Sequence, residues 1–115
     1  MIHARALALS GTLLASIHAL GDSSGATGPA NGPATYSVSI EDLQFRPSQL
    51  TVHPGDWIVF SNKDLFPHNV AADGKAFDSL GIAANASWRY RAGKPGVYGY
   101  HCVYHPTMTG RVTVR

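Results

Sequence analysis

The sequence predicts an all-β fold, an antiparallel β-sandwich built from short strands. Several segments alternate apolar and polar side chains with a period of two, as half-buried strands require. Glycine- and proline-containing turn signals separate these segments at the intervals expected of such a sandwich. The domain shows no sustained helical period, and 115 residues leave room for one domain of ordinary size.

Residues 1–26 are predicted to form a secretory signal peptide whose cleavage site the residues leave open. One positive charge, from Arg5, precedes an uncharged stretch rich in alanine and leucine over Ala6 to Leu20. That pattern is typical of a secretory signal, and the stretch falls short of the roughly 20 apolar residues that span a bilayer. We therefore expect an exported protein, periplasmic or otherwise extracytoplasmic, without a stable membrane span. An N-terminal helix that stays attached as a loose anchor is the alternative.

The first strand is predicted to follow a tether. Gly21 to Ala34 contains no large apolar side chain, so residues 27–34 are interpreted as a flexible linker and residues 35–115 as the domain. From Tyr36 to Ile40, apolar side chains alternate with serines. We expect this segment to be a strand whose serines face water.

The remaining strands are predicted in order along the domain. Leu50 to His53 and Trp57 to Phe60 are separated by the turn signal Pro54-Gly55, which favours two adjacent strands. Ala72 to Ala86 has no clear period and is expected to hold loop or a short helical turn. The further candidate strands are His68 to Ala71, Ser87 to Arg91, Gly96 to His101 and Arg111 to Val114.

Composition excludes several classes of protein. A hydrophobic content of 44% with 14% charged residues is ordinary for a packed globular domain. The net charge of +2 and the lack of any lysine or arginine run argue against a nucleic-acid partner. Only one cysteine is present, so no intramolecular disulfide can form. An unpaired thiol in an oxidising compartment needs an explanation, and a bound metal would supply one.

The chemistry concentrates in one short segment, where Cys102, His105 and Met108 follow one another at intervals of three residues. The cysteine comes just where a predicted strand runs into a turn. Soft sulfur ligands combined with imidazole favour copper, and two histidines, one cysteine and a weak axial methionine form the blue-copper arrangement. The segment thus offers three of the four ligands of one copper ion.

The second histidine must come from elsewhere in the chain. His101 lies on the opposite face of its predicted strand from the cysteine, because successive side chains alternate. His53 shares the polar face of its strand and ends at a turn, whereas His3 and His18 belong to the predicted signal. His68 stands in an apolar setting after a proline and is our choice.

Together these features carry a family resemblance. The run from Val59 to Val70, followed by the Cys-x2-His-x2-Met loop, resembles the cupredoxins, in particular the plastocyanin and amicyanin group. The likeness covers Tyr36 to Arg115, and Val103-Tyr104 stands where amicyanin-like loops usually have Thr-Pro. It implies a Greek-key β-sandwich with one type 1 copper ion. The metal ligands it implies are His68, Cys102, His105 and Met108.

The resemblance also implies roles for these residues. Cys102 would bind as the thiolate, the two histidines would complete a trigonal plane, and Met108 would be the weak axial ligand. Asn69 is similar to the family residue that ties the two ligand segments together and donates a backbone N–H toward the sulfur. Such outer contacts hold metal ligands in place.

The expected function is that of a mobile one-electron carrier, a monomer that docks briefly with redox partner proteins through an uncharged patch around His105. Copper storage or delivery is the alternative, and a structural zinc site is a third possibility, since cysteine and histidine also bind zinc. We do not expect an enzyme, because the sequence offers no second metal cluster and no open coordination position.

Overall fold

Eight strands form two four-stranded sheets in the computed structural model, which describes residues 32–115. The predicted signal peptide, its two histidines and linker residues 27–31 lie outside the described residues. The strands are β1 (Thr35–Glu41), β2 (Gln44–Arg46), β3 (Gln49–Val52), β4 (Trp57–Asn62), β5 (Ala71–Ala72), β6 (Ser87–Arg91), β7 (Gly96–His101) and β8 (Thr109–Val114).

The two sheets have the strand orders β2-β1-β4-β6 and β3-β8-β7-β5. The predicted all-β sandwich is confirmed. The pairs β1 with β4 and β3 with β8 run parallel, and the other pairs are antiparallel. Apolar alternation specifies which face of a strand is buried but not the direction of its neighbour, so the sequence pattern could not distinguish these pairings.

The core lies between the sheets and follows the period of two. On β1, Val38 and Ile40 are buried while the serines between and beside them face outward, as predicted. At the centre, the ring of Tyr100 meets Phe45 and Phe60 edge to face, with ring centroids 4.9 Å and 5.5 Å away. Burying each such large side chain contributes about 1.5–3 kcal/mol, which makes the sandwich a firm scaffold for the loops at its ends.

The prediction that β3 and β4 are neighbours is wrong, because the chain crosses from one sheet to the other between them. Asp56 stabilises this crossover, since its buried carboxylate accepts hydrogen bonds from the N–H groups of Ala34 and His53, both at 2.9 Å. Burial alone would raise the pKa of Asp56. The two N–H donors and the nearby His53 side chain outweigh that effect and hold the pKa below its usual 3.8.

Two shorter segments also differ from the prediction. The strand predicted over His68 to Ala71 is mostly absent, since β5 comprises only Ala71 and Ala72. His68 instead pairs with Ile82 through a single isolated bridge. Strand β2 was not predicted, because its three residues contain one buried side chain, Phe45, and are too few to show an alternation of apolar and polar residues. Residues 73–86 form loop. No helix in the described part of the chain is long and apolar enough to cross a membrane.

Candidate metal centre

The loop after β7 folds back on itself through three backbone hydrogen bonds. The N–H of His105 donates to the carbonyl of Cys102 at 3.2 Å, and the N–H of Met108 donates to the carbonyl of His105 at 2.8 Å. The N–H of Cys102 closes the loop by donating to the carbonyl of Met108 at 3.2 Å. The three-residue spacing therefore produces two consecutive turns, which bring the backbones of all three residues close together at one end of the sandwich.

His68 reaches the same end from the segment that connects β4 of one sheet to β5 of the other. Its backbone N–H and carbonyl both pair with Ile82, at 3.2 Å and 2.7 Å, which anchors the segment between β4 and β5. Its Nδ1 lies 3.7 Å from the sulfur of Cys102, and both residues are fully buried. The donor atoms of His68, Cys102 and His105 all lie within 4.8 Å of one another. Three of the four residues predicted as ligands thus converge.

The donor atoms fit one metal ion. Bonds of about 2.0–2.3 Å from one ion to a nitrogen and a sulfur place those two atoms roughly 3.5–4 Å apart, as the Cys102 and His68 atoms are. The Nδ1 of His105 is buried and has no hydrogen-bond partner among residues 32–115. A buried polar atom of this kind is costly unless it binds something. Met108 is also buried, at 2% exposure, on the loop that carries the sulfur. One thiol sulfur combined with two imidazoles favours copper.

The other two histidines among residues 32–115, His53 and His101, lie away from the cluster, as predicted. His101 points away from the cysteine, and its Nδ1 lies 2.7 Å from a carboxylate oxygen of Asp73 near the surface. The side chain of His53 is 59% exposed, with its Nδ1 3.7 Å from the Asp56 carboxylate. Neither belongs to the cluster.

Asn69 connects the two ligand segments, and the contacts expected of it are confirmed. Its backbone N–H donates to the sulfur of Cys102 at 3.4 Å, while its side-chain oxygen accepts the N–H of Val103 at 2.7 Å. Its side-chain nitrogen donates to Asp78 at 3.2 Å. One buried residue therefore holds the position of the sulfur from two directions.

Asp64 is a site residue that the sequence analysis missed. Its carboxylate accepts the backbone N–H groups of Asp42 and Leu43, and it lies 2.8 Å from Nε2 of His68. Desolvation would raise the pKa of Asp64, but these backbone donors and the histidine together hold it below its usual value. No sequence pattern indicated the contacts with Asp42 and Leu43, because those residues are 22 and 21 positions away along the chain. The contact with His68 is only four residues away, but no regular strand or helix there predicted it.

Phe66 is a second residue that was missed. Its ring packs against both imidazoles of the cluster, with centroid distances of 5.3 Å to His68 and 5.7 Å to His105. The ring is 45% exposed and so forms part of the surface over the site. Four further apolar side chains on the neighbouring loops are exposed: Leu65, Leu80, Val103 and Tyr104.

A buried cysteine and two imidazoles, gathered from two loops at one end of a β-sandwich, define a copper protein of the cupredoxin class. Comparison with known families agrees. Residues 34–115 match the family of copper binding proteins of the plastocyanin/azurin type, and the chain belongs to that family.

Among known proteins, the chain is similar to amicyanin-alpha of Methylorubrum extorquens, with 29% identity over 82 residues that cover 67% of this chain and 69% of the relative. It is 34% identical over 88 residues to the minor plastocyanin isoform of Arabidopsis thaliana, which covers 64% of this chain and about half, 52%, of that relative.

Solved structures show the same likeness. A copper(I) amicyanin variant superposes with a TM-score of 0.66 at 27% identity, covering 70% of this chain and 82% of the amicyanin. A purple cupredoxin from Nitrosopumilus maritimus superposes with a TM-score of 0.63 at 26% identity, covering 70% of this chain and 99% of that structure.

Proposed function

We propose that this protein is a mobile carrier of single electrons, with one copper ion held by His68, Cys102, His105 and Met108. The observation that carries the proposal is the convergence of the sole thiol with two imidazole nitrogens within 4.8 Å in a buried setting. The family to which the chain belongs binds copper, and its relatives include amicyanins and plastocyanins.

When bound, copper supplies one-electron chemistry by alternating between Cu(II) and Cu(I). The chain's part is to keep the ligands in place during that change. His68 is held by two backbone hydrogen bonds to Ile82, and the loop from Cys102 to Met108 is closed by three of its own. A ligand set that is held this firmly requires little rearrangement, which supports fast exchange of the electron and a carrier in preference to an enzyme.

The surface around His105 supports brief docking with redox partner proteins by a monomer. Val103 and Tyr104, at 51% and 53% exposure, precede the ligand on its own loop. Leu65 and Phe66 are also exposed, and the ring of Phe66 packs against the ring of His105 with a centroid distance of 5.7 Å. An uncharged apolar patch of this kind suits a weak, short-lived contact, because the partners gain from burial without strong ion pairs. We call Leu65, Phe66, Leu80, Val103 and Tyr104 the apolar patch.

We further propose that the carrier works outside the cytoplasm, with residues 1–26 removed as a signal peptide and residues 27–34 acting as a linker to the domain at 35–115. The lone cysteine supports this, since a thiol committed to copper is compatible with an oxidising compartment. Mass spectrometry of the protein recovered from an export-competent host measures the mature N-terminus. Recovery of the full-length chain would contradict the cleavage.

The absorption spectrum of the purified copper(II) protein tests the proposed function. We expect an intense blue band from thiolate-to-copper charge transfer, which Cys102→Ser abolishes. Thr107→Ala, on the same loop with an exposed side chain, should keep the band. A colourless copper(II) protein would contradict the proposal. Rapid loss of copper to a chelator with slow redox cycling would instead favour storage or delivery, and retention of zinc at the expense of copper would favour a structural site.

A further inference from the structure

The turn between β1 and β2 forms a small binding site for a carboxylate. Asp42 and Leu43 both have left-handed backbone conformations, with φ of 55° and 60°. Hairpin turns of this type direct consecutive N–H groups to one side but usually contain glycine or asparagine, because a larger side chain is disfavoured there. Both N–H groups donate to Asp64, at 2.7 Å to Oδ1 and 3.0 Å to Oδ2.

The same carboxylate also contacts a predicted metal ligand, His68. Oδ2 of Asp64 lies 2.8 Å from Nε2 of His68, whose side chain is fully buried, while the Asp64 side chain is only 11% exposed. Water therefore competes little for this hydrogen bond. Because an ionised carboxylate can only accept a hydrogen bond, the imidazole keeps its hydrogen on Nε2 and its lone pair on Nδ1, the atom that faces the sulfur of Cys102.

We propose that Asp64 is a positioning residue that orients the His68 imidazole and makes it a stronger metal ligand. The turn at Asp42 and Leu43 holds Asp64 in place. An anionic partner on the far nitrogen makes an imidazole a more basic ligand. A nearby negative charge also stabilises the more highly charged of two metal states, so Asp64 favours Cu(II) over Cu(I) and lowers the reduction potential. This inference rests on the copper centre proposed above.

The test compares reduction potentials of the copper-loaded wild type, Asp64→Asn and Glu41→Gln. Asparagine has the shape of aspartate but carries no charge and cannot accept all three N–H groups. We expect Asp64→Asn to change the ratio of Cu(II) to Cu(I) affinity about tenfold in favour of Cu(I), which for a one-electron couple raises the potential by about 59 mV. Glu41→Gln removes an equal charge from an exposed carboxylate on the neighbouring strand and should change the potential much less.

The outcomes separate the role of Asp64 from the proposed function. A blue wild type with equal potentials in Asp64→Asn and Glu41→Gln would overturn the role of Asp64 alone. A copper(II) wild type without blue absorption would refute the carrier itself. Should Asp64→Asn fail to fold, nuclear magnetic resonance of the wild-type Cu(I) protein decides. A downfield, slowly exchanging Nε2–H of His68 supports the proposal, and exchange as fast as that of the His105 ring N–H would overturn it.

Discussion

Asn69→Ala is the substitution that most directly tests how the two ligand segments are held together. The side chain is 3% exposed and makes two hydrogen bonds, accepting from Val103 at 2.7 Å and donating to Asp78 at 3.2 Å. Alanine leaves the partly buried N–H of Val103 without its acceptor, which costs about 1–3 kcal/mol. Loss of the bond to the charged Asp78 adds about 1 kcal/mol, because water can replace the donor at that more open end.

The assay is thermal unfolding of the copper-loaded protein, followed by circular dichroism. A loss of about 2–4 kcal/mol in a domain of this size lowers the unfolding midpoint by at least about 8 °C, since each kcal/mol corresponds to roughly 4–8 °C. We also expect the blue band to shift, because the loop that carries the sulfur is no longer tied to the His68 segment.

Thr107→Ala is the matched control for this experiment. Thr107 lies on the same loop with an exposed side chain, so its substitution should change the free energy of unfolding by no more than about 0.5 kcal/mol. The midpoint should therefore change by at most about 4 °C. If Asn69→Ala unfolded at the same temperature as Thr107→Ala, the side chain would not tie the two segments together, and the reasoning from its contacts would be refuted.

Three further predictions concern the scaffold and the surface. Gly110→Ala should destabilise the fold by about 1–3 kcal/mol, because the added Cβ would overlap the ring of Tyr100, whereas Gly74→Ala meets nothing within 4 Å; equal urea midpoints for the two variants would contradict this. The lowered pKa of Asp56 means that its stabilisation is present above its usual value of 3.8 and is lost as the pH falls below it. Between about pH 6 and pH 3, Asp56→Asn should therefore lose less unfolding free energy than the wild type, and equal losses would argue against the role of this carboxylate. Leu80→Lys adds a like charge to the apolar patch of both colliding molecules and should slow electron self-exchange about tenfold at low salt, an effect that salt reverses; an unchanged rate would exclude Leu80 from the docking surface.

The sequence allowed the local features of the site to be predicted because they depend on short stretches of chain. Spacings of three residues place Cys102, His105 and Met108 in one loop whatever surrounds it, and the residue types alone favour copper. Strands β6 and β7 have the predicted bounds, since each is a regular alternating segment that ends at turn residues. His68 could be chosen from local features alone. The strand face excluded His101, a polar setting at a turn excluded His53, and the predicted signal excluded His3 and His18.

Tertiary structure decided everything that depends on contact between distant segments. The local alternation of apolar residues does not indicate whether β3 pairs with β4 or which strands run parallel. Nor does it indicate which surface turn binds the carboxylate of Asp64. The same holds for Phe66, whose apolar side chain acquires its place over two imidazoles only when both loops meet. By itself the sequence determined which side chains are available for the metal and which faces are buried, because those follow from residue type and backbone period. The folded chain alone decided which groups surround those ligands, because such contacts depend on the packing of two sheets against each other.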